Sequence, residues 1–240
     1  MFGVELREWL IKGCEAVSIT ISEEQVTKLV QYAELVIETN KAMNLTRIVE
    51  PKEFAIKHYV DSLLCTKVRD FSQGRGIDIG TGPGFPGIAL AVYYPSAKLT
   101  LLDSLEKRIK FIQNSCTQVG VDNTAGIHGR AEEIAKKSTY RQGFDWGIAR
   151  AVAGLPVLLE YCIPYIKQKG TFIALKSGDI EAELEASKRS CELLGAIVAE
   201  TYVYELPFGM GQRSVIVYEK IHETPNQYPR KAGTPSKQPL

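Results

Sequence analysis

The stretch IDIGTGPGFPG, residues 77–87, places four glycines and two prolines in eleven positions, directly after an apolar run that carries one aspartate. An apolar run, a glycine-rich turn and then the apolar segment Ile88–Tyr94 read as strand, loop and helix. Glycine at such a junction permits a tight turn and close approach of a ligand to the backbone. Two nucleotide frames compete. Gly82-x-Gly84-x-x-Gly87 matches the dinucleotide fingerprint, with Asp103 at a suitable downstream distance for a ribose. Shifted by two, Asp78-x-Gly80-x-Gly82-x-Gly84 is an acid followed by G-x-G-x-G.

Three features favour the second frame. A carboxylate at the strand end, Asp78, suits a cationic ligand, directly or through ordered groups, and does nothing for a diphosphate. Pro83 and Pro86 remove N–H donors that a pyrophosphate would use. The dinucleotide loop also belongs near the start of its domain, whereas here about 70 residues of helical character precede it. S-adenosylmethionine carries a sulfonium, an α-amino group and a ribose but no phosphate, so a loop flanked by carboxylates fits it better. Asp103 closes the next apolar run, KLTLLD, where a carboxylate can accept both ribose hydroxyls. Its bland alternative is an acid at the start of the helix that follows Leu105.

The elements that must position these groups follow from periodicity. Ser22–Gln25 fits a capping box, and Val26, Leu29, Val30, Ala33, Val36 and Ile37 after it line one helix face. Another helix follows Pro51, with Ile56, Val60, Leu63 and Leu64 as its stripe. From Ile77 onward, short apolar runs alternate with helical segments. Strands are expected at 77–79, 99–102, 125–128, 146–149 and 171–175, with helices between most of them, which implies a parallel sheet covered on both faces. Two further strands, 196–204 and 214–218, joined by ELPFGMGQR, would end that sheet as an antiparallel hairpin. The organisation expected is a helical extension over residues 1–70, a sheet domain over 71–222 and a flexible tail over 223–240. The tail has four prolines and little apolar content, so it reads as extended or disordered, either solvated or an arm that touches phosphate through Arg230, Lys231 and Lys237.

Composition narrows the class. The 240 residues are 45% hydrophobic and 24% charged, as in an ordinary soluble globular chain. The formal net charge of +1 provides no global field for a polyanion, so nucleic-acid binding would need a local basic patch. The five cysteines form no C-x-x-C pair and the three histidines are scattered, which argues for reduced thiols in a cytoplasmic protein and against a metal site. No apolar stretch reaches the roughly 18 residues of a membrane span, and charges interrupt the N-terminal segment where a signal peptide would be apolar.

Eight motifs occur in order: NKAMNLT, HYVDSLL, DIGTGPGFPGIALA, LLDSLEKRIKF, GRAEE, GIARAV, ALKSG and GQRSVIV. Over roughly residues 20–220 the chain resembles the bacterial small-subunit ribosomal RNA methyltransferase G family, also called the glucose-inhibited division protein B family. The resemblance implies an α/β fold, the Rossmann-like class I S-adenosylmethionine-dependent methyltransferase fold, with a mostly parallel seven-stranded sheet and a helical N-terminal extension. It implies methylation of N7 of a guanosine in the decoding region of 16S rRNA; whether the substrate is free rRNA or the small ribosomal subunit stays open, and a monomer without a metal is expected. It assigns Gly80 and Phe85 to the cofactor loop, Asp103 to the ribose, Ala131 and Glu132 to the adenine at the end of the GRAEE strand, and Arg150 to the junction of cofactor and substrate. Each has a plainer reading. Phe85 suits a core, and Glu132 with Glu133 suits the acidic first turn of a helix. Arg150 is harder to dismiss, because an arginine after an apolar strand needs a partner.

Guanine N7 has an in-plane lone pair and no proton, so such a transfer needs no general base and no catalytic dyad is expected. Cations contacting phosphate or O6 are expected instead, and Lys107, Arg108, Arg150, Lys176 and Arg213 stand near strand C-terminal ends or adjoining loops. His58 and Asp61, three apart on a helix, read as a local pair with at most a rim or interdomain role. Two other functions stay open at this point: a nicotinamide-dependent oxidoreductase using the Gly82–Gly87 frame, and a non-catalytic RNA-binding assembly factor that kept the fold.

Overall fold

The computed structural model describes residues 1–178 and 180–240. Its centre is one sheet of seven strands: β1 (Arg75–Ile79), β2 (Lys98–Asp103), β3 (Thr124–His128), β4 (Phe144–Arg150), β5 (Ile166–Ser177), β6 (Ala196–Glu205) and β7 (Gln212–Lys220). The order is β3-β2-β1-β4-β5-β7-β6. Strands β1 to β5 are parallel, and β7 lies antiparallel between β5 and β6. All seven expected strands are present, and the sheet is mixed as anticipated. The order reverses between β1 and β4, so the carboxyl ends of those two strands flank the crevice where open α/β sheets bind ligands. Gly80 follows one end and Arg150 forms the other.

The N-terminal extension is helical. It comprises α1 (Phe2–Ala16), α2 (Glu23–Met43), and α3 (Pro51–Phe54), which runs through a π-helical stretch at Ala55–Val60 into α4 (Asp61–Leu63). The capping box forms: the Ser22 hydroxyl accepts from the Gln25 N–H at 3.2 Å and the Gln25 side chain accepts from the Ser22 N–H at 2.8 Å. Leu6, Leu10, Val26, Tyr32, Phe54 and Tyr59 of the extension share one buried cluster with Leu101, Trp146 and Ile173 of the sheet. The extension is thus packed into the sheet's own core. Tyr32 Oη donates to the Pro83 carbonyl at 2.7 Å, so α2 also fixes the glycine loop.

Helices α5 (Gly87–Tyr93), α6 (Glu106–Val119), α7 (Ala131–Ile134), α8 (Leu155–Cys162) and α9 (Glu181–Leu194) connect the strands. A second buried cluster joins the sheet to α8 and α9 and includes Tyr228.

The C-terminal segment departs from expectation, because it is docked. Arg141 donates to the carbonyls of Tyr228 (2.8 Å), Thr224 (2.7 Å) and Pro225 (3.2 Å). Arg230 closes on Glu160 of α8, with Nη2 2.6 Å and Nε 3.1 Å from Oε2, and with its own N–H 2.7 Å from Oε1. A short helix, α10 (Thr234–Lys237), follows. The composition argument missed this because it counts apolar surface. Besides the buried Tyr228 ring and Pro235, what holds the tail is polar and lies on the other side of the contact: fully buried Glu160 and nearly buried Glu132 are carboxylates that need partners.

Among the described residues, no helix is long and apolar enough to cross a membrane, and no group of His, Cys, Asp or Glu could hold a metal ion. All five cysteines are free thiols and buried.

Candidate functional site

The glycine loop is built around Asp78. Its side chain is fully buried at the end of β1. Oδ2 accepts from the Thr81 hydroxyl at 2.7 Å and from the Gly87 N–H at 2.8 Å. A Cβ on Gly87 would stand 2.8 Å from that same Oδ2, so only glycine lets the start of α5 come this close. Gly80 turns the chain at φ +73, a conformation L side chains rarely adopt. Asp78 lines neither of the cavities described below. Its contacts are with the loop itself, through Thr81 and Gly87. Its Oδ1 is buried and has no hydrogen-bond partner among the described residues, and burial raises the carboxyl pKa to about 6 despite those two hydrogen bonds and the nearby Arg150.

Two cavities open on the crevice. The smaller, about 330 Å³, is lined by residues including Gly80, Asp103, Arg108, Gly129, Ala131, Glu132, Ala151 and Tyr161. Asp103 sits at the tip of β2, where Oδ2 accepts from the Gly82 N–H at 2.9 Å and from Arg108 Nη1 at 3.3 Å, while Oδ1 accepts from the Leu105 N–H at 2.9 Å. A carboxylate has about four lone-pair sites, so acceptor capacity remains. Ala131 and Glu132 border this cavity as expected, but they open α7; the strand stops at His128. Glu132 Oε1 accepts from the Gly233 N–H of the tail at 2.9 Å.

The larger cavity, about 530 Å³, lies between the extension and the sheet and is lined by residues including His58, Asp61, Phe85, Arg150, Lys176 and Arg213. Arg150 is its hub. Nη1 donates to Asp61 Oδ2 at 2.9 Å, to Ser62 Oγ at 3.2 Å and to the carbonyls of Lys57 and His58 at 3.1 and 3.3 Å. Nη2 lies 3.2 Å from His58 Nδ1. A guanidinium only donates, so Nδ1 accepts, and the ring proton is on Nε2, 2.9 Å from Thr46 Oγ1. Burial, and after it Arg150, holds the His58 pKa well below its usual value, in keeping with a neutral ring. That ring stacks on Phe85 at 4.5 Å and 12°, and Arg150 lies over the same phenyl at 5.8 Å. Phe85 is 4% exposed and also packs on Tyr32, Phe54 and Tyr59, so it is a core aromatic that lines the larger cavity and not the smaller.

The predicted cations divide. Arg150, Lys176 and Arg213 converge on the larger cavity, and each is paired: Arg213 Nε with Asp61 Oδ1 at 3.3 Å, and Lys176 with Glu183 at 2.7 Å. Lys107 is exposed and lines neither cavity; its neighbour Arg108 lines both. One helical step decides between them. Five cations (Lys57, Arg108, Arg150, Lys176, Arg213) face two carboxylates (Asp61, Glu183) around the larger cavity, so it is net positive although the chain is nearly neutral. Sequence reasoning missed Thr81, Glu183 and Tyr161. Thr81 had a signal, lying three residues after a strand-end acid; the other two come from distant segments and had none.

A mostly parallel seven-stranded sheet with β7 inserted antiparallel, and a glycine loop with an acid at the tip of β2, define the class I S-adenosylmethionine-dependent methyltransferase fold. Solved structures agree. The M. jannaschii TYW2 structure in complex with AdoMet matches with TM-score 0.53 at 16% identity, covering 68% of this chain and 76% of its own. A sarcosine dimethylglycine methyltransferase from Galdieria sulphuraria, itself described as a candidate for that activity, matches with TM-score 0.55 at 12% identity, covering 80% and 99%. The family model for rRNA small subunit methyltransferase G matches residues 25–213. The "Ribosomal RNA small subunit methyltransferase G" of Alkaliphilus metalliredigens is 43% identical over 99% of this chain and 100% of its own, and that of Oceanobacillus iheyensis is 40% identical over 97% and 98%. The chain belongs to the rRNA small subunit methyltransferase G family.

Proposed function

We propose that the protein methylates N7 of a guanosine in 16S rRNA, with S-adenosylmethionine in the smaller cavity and the guanine in the larger. One observation supports the assignment of cavities: the two share Gly80, Arg108 and Ala151 as lining, so two ligands can touch there. Ala151 holds φ +54, uncommon for a residue with a Cβ, at that junction.

The residues present fit the cofactor. The smaller cavity balances carboxylates at Asp103 and Glu132 against Arg108 and Arg130, and buried Asp78 behind the loop adds the negative charge that suits a cationic ligand. The bound cofactor supplies an electrophilic methyl group on sulfur. Asp103 takes the ribose hydroxyls, Gly80 and Phe85 shape the loop, and Ala131 with Glu132 bounds the adenine. Arg108 stands between the two ligands, and Arg150 on the acceptor side of the junction. No side chain has to remove a proton, so catalysis rests on alignment, which the Arg150 network supplies by locking the extension to β4. Arg213 and Lys176 meet RNA phosphate or guanine O6 as the ring gains positive charge.

The test is transfer from labelled S-adenosylmethionine to small subunits lacking the modification, followed by nucleoside analysis. Labelled 7-methylguanosine is expected. Cofactor binding without transfer to subunits, naked 16S rRNA or assembly intermediates would favour a non-catalytic RNA-binding factor instead. Retention of NAD in place of S-adenosylhomocysteine would favour the oxidoreductase. For Asp103→Asn, an amide nitrogen faces the Gly82 or Leu105 N–H, and affinity for S-adenosylhomocysteine is expected to fall about tenfold in titration calorimetry.

A further inference from the structure

The tail docks on the back of the smaller cavity. Gly233 donates its N–H to Glu132 Oε1, and Glu132 lines that cavity while being only 2% exposed. Arg130, also a lining residue, is 3.5 Å from the same carboxylate. Arg230 grips Glu160, which is 0% exposed and precedes Tyr161, another lining residue. The Ser236 hydroxyl donates to the Gly233 carbonyl at 3.1 Å, closing the tail's own turn. Two tail residues, Gly233 and Arg230, therefore hold two walls of one pocket, the α7 turn and the end of α8, without lining it themselves. Those two walls come from segments about 30 residues apart, and α7 is a single turn of four residues, anchored on its other side by the Tyr165 hydroxyl on the Ala131 carbonyl at 2.7 Å and by buried Ile134. Without the tail, two nearly or fully buried carboxylates would lose their main partners, and the walls would have to open toward water to relieve them.

We propose that residues 229–240 are a positioning brace for the cofactor pocket, with Gly233 and Arg230 orienting the α7 turn and α8 through Glu132 and Glu160. This rests on the reading that the smaller cavity takes the adenosyl end of the cofactor. Gly233 and Arg230 touch neither ligand and set only the shape that receives it. The brace acts on cofactor affinity and leaves the alignment of the acceptor base to the Arg150 network on the other side of the crevice.

The experiment compares the full chain with one ending after Tyr228, which keeps that buried ring and the carbonyls held by Arg141. Two readouts are taken: S-adenosylhomocysteine binding by titration calorimetry, and hydrogen exchange of residues 129–134 without cofactor. The shortened chain is expected to bind about tenfold more weakly, to exchange faster at 129–134, and to regain both properties when a peptide of residues 229–240 is added in trans. Its kcat at saturating cofactor stays within about twofold of the full chain, since the reacting atoms are aligned elsewhere. Should the shortened chain fail to fold, the full-length double variant Arg230→Gln with Glu160→Gln decides by the same readouts. A folded variant with unchanged affinity and unchanged exchange overturns the brace. A full-length chain that binds no S-adenosylhomocysteine overturns the pocket assignment, and the brace with it.

Discussion

Arg150→Ala is expected to cost about 3 kcal/mol of folding stability and to lower kcat/KM for methyl transfer by ~100-fold or more in the molecules that remain folded. The stability loss follows from what stays behind. Asp61 is 6% exposed and would keep only Arg213 at 3.3 Å, His58 Nδ1 would be buried without a donor, and the carbonyl of Lys57 would lose the guanidinium. The activity loss follows from the same contacts, because they join α4 and the π-helical stretch to the tip of β4 and so set the larger cavity. Arg150→Lys is the sharper probe. One ammonium keeps the charge but cannot span Asp61 and His58 as a planar fork does. It should lose about 1–2 kcal/mol, the worth of the hydrogen bonds it cannot remake, and still lose most of the activity. Urea denaturation followed by near-ultraviolet circular dichroism gives the first number, and single-turnover transfer gives the second. Asp61→Asn should reproduce part of both, with a non-additive double variant. A stable Arg150→Ala protein that merely fails to react would assign the residue to ligand contact alone. An unstable one with normal turnover per folded molecule would assign it to structure alone.

The fold was legible because strands and helices announce themselves locally. Alternating short apolar runs and helical stripes predicted every strand of the sheet, and the antiparallel β7 followed from two strands joined by one short loop. The glycine loop's place was legible for the same reason: Asp78, Gly80 and Asp103 fall at strand ends, and strand ends in a parallel sheet converge. Arg150 announced itself as a charge closing an apolar strand, but its partners did not. His58 and Asp61 lie about 90 residues away and read as a local helix pair, because periodicity reports which face a residue is on and nothing about what packs against that face. The π-helical stretch around His58 was invisible for a related reason. Its apolar spacing is that of an ordinary helix, and the carbonyls presented to Arg150 are a backbone property. Lys107 and Arg108 show the resolution limit most plainly, being adjacent cations of which only the second reaches the crevice. The tail failed as a composition problem, since the partners that order it, Arg141, Glu132 and Glu160, are outside the segment whose composition was weighed.

Asp78→Ala should abolish cofactor binding within the measurable range, at least ~100-fold, because the Thr81 hydroxyl and the Gly87 N–H would both lose the charged acceptor that folds the loop. Asp78→Asn separates shape from charge. Its amide oxygen can take both hydrogen bonds, so the loop persists, while the carboxylate charge is gone. The wild-type carboxyl has its folded pKa raised from 3.8 to about 6 by burial, with Thr81, Gly87 and Arg150 opposing and Asp103 adding to the rise. Between those two values the folded chain holds a proton the unfolded chain has released, so this group's contribution to stability falls as pH rises from about 4 to about 6, by on the order of 3 kcal/mol, and is flat above. His58 runs the other way. Its folded pKa is depressed, so the stability it represents is lost as pH falls below its unfolded value of 6.5. Only the difference between wild type and Asp78→Asn isolates the carboxylate, and that difference should move toward the amide variant between pH 4 and pH 6. Cofactor affinity should show the opposite trend. Ionised Asp78 favours a cationic ligand, so wild-type binding of S-adenosylmethionine should strengthen by about tenfold from pH 5 to pH 7, whereas the amide variant should be nearly level. Parallel pH profiles for the two proteins in calorimetry would mean that the buried charge is structural, and that the loop recognises its ligand by shape alone.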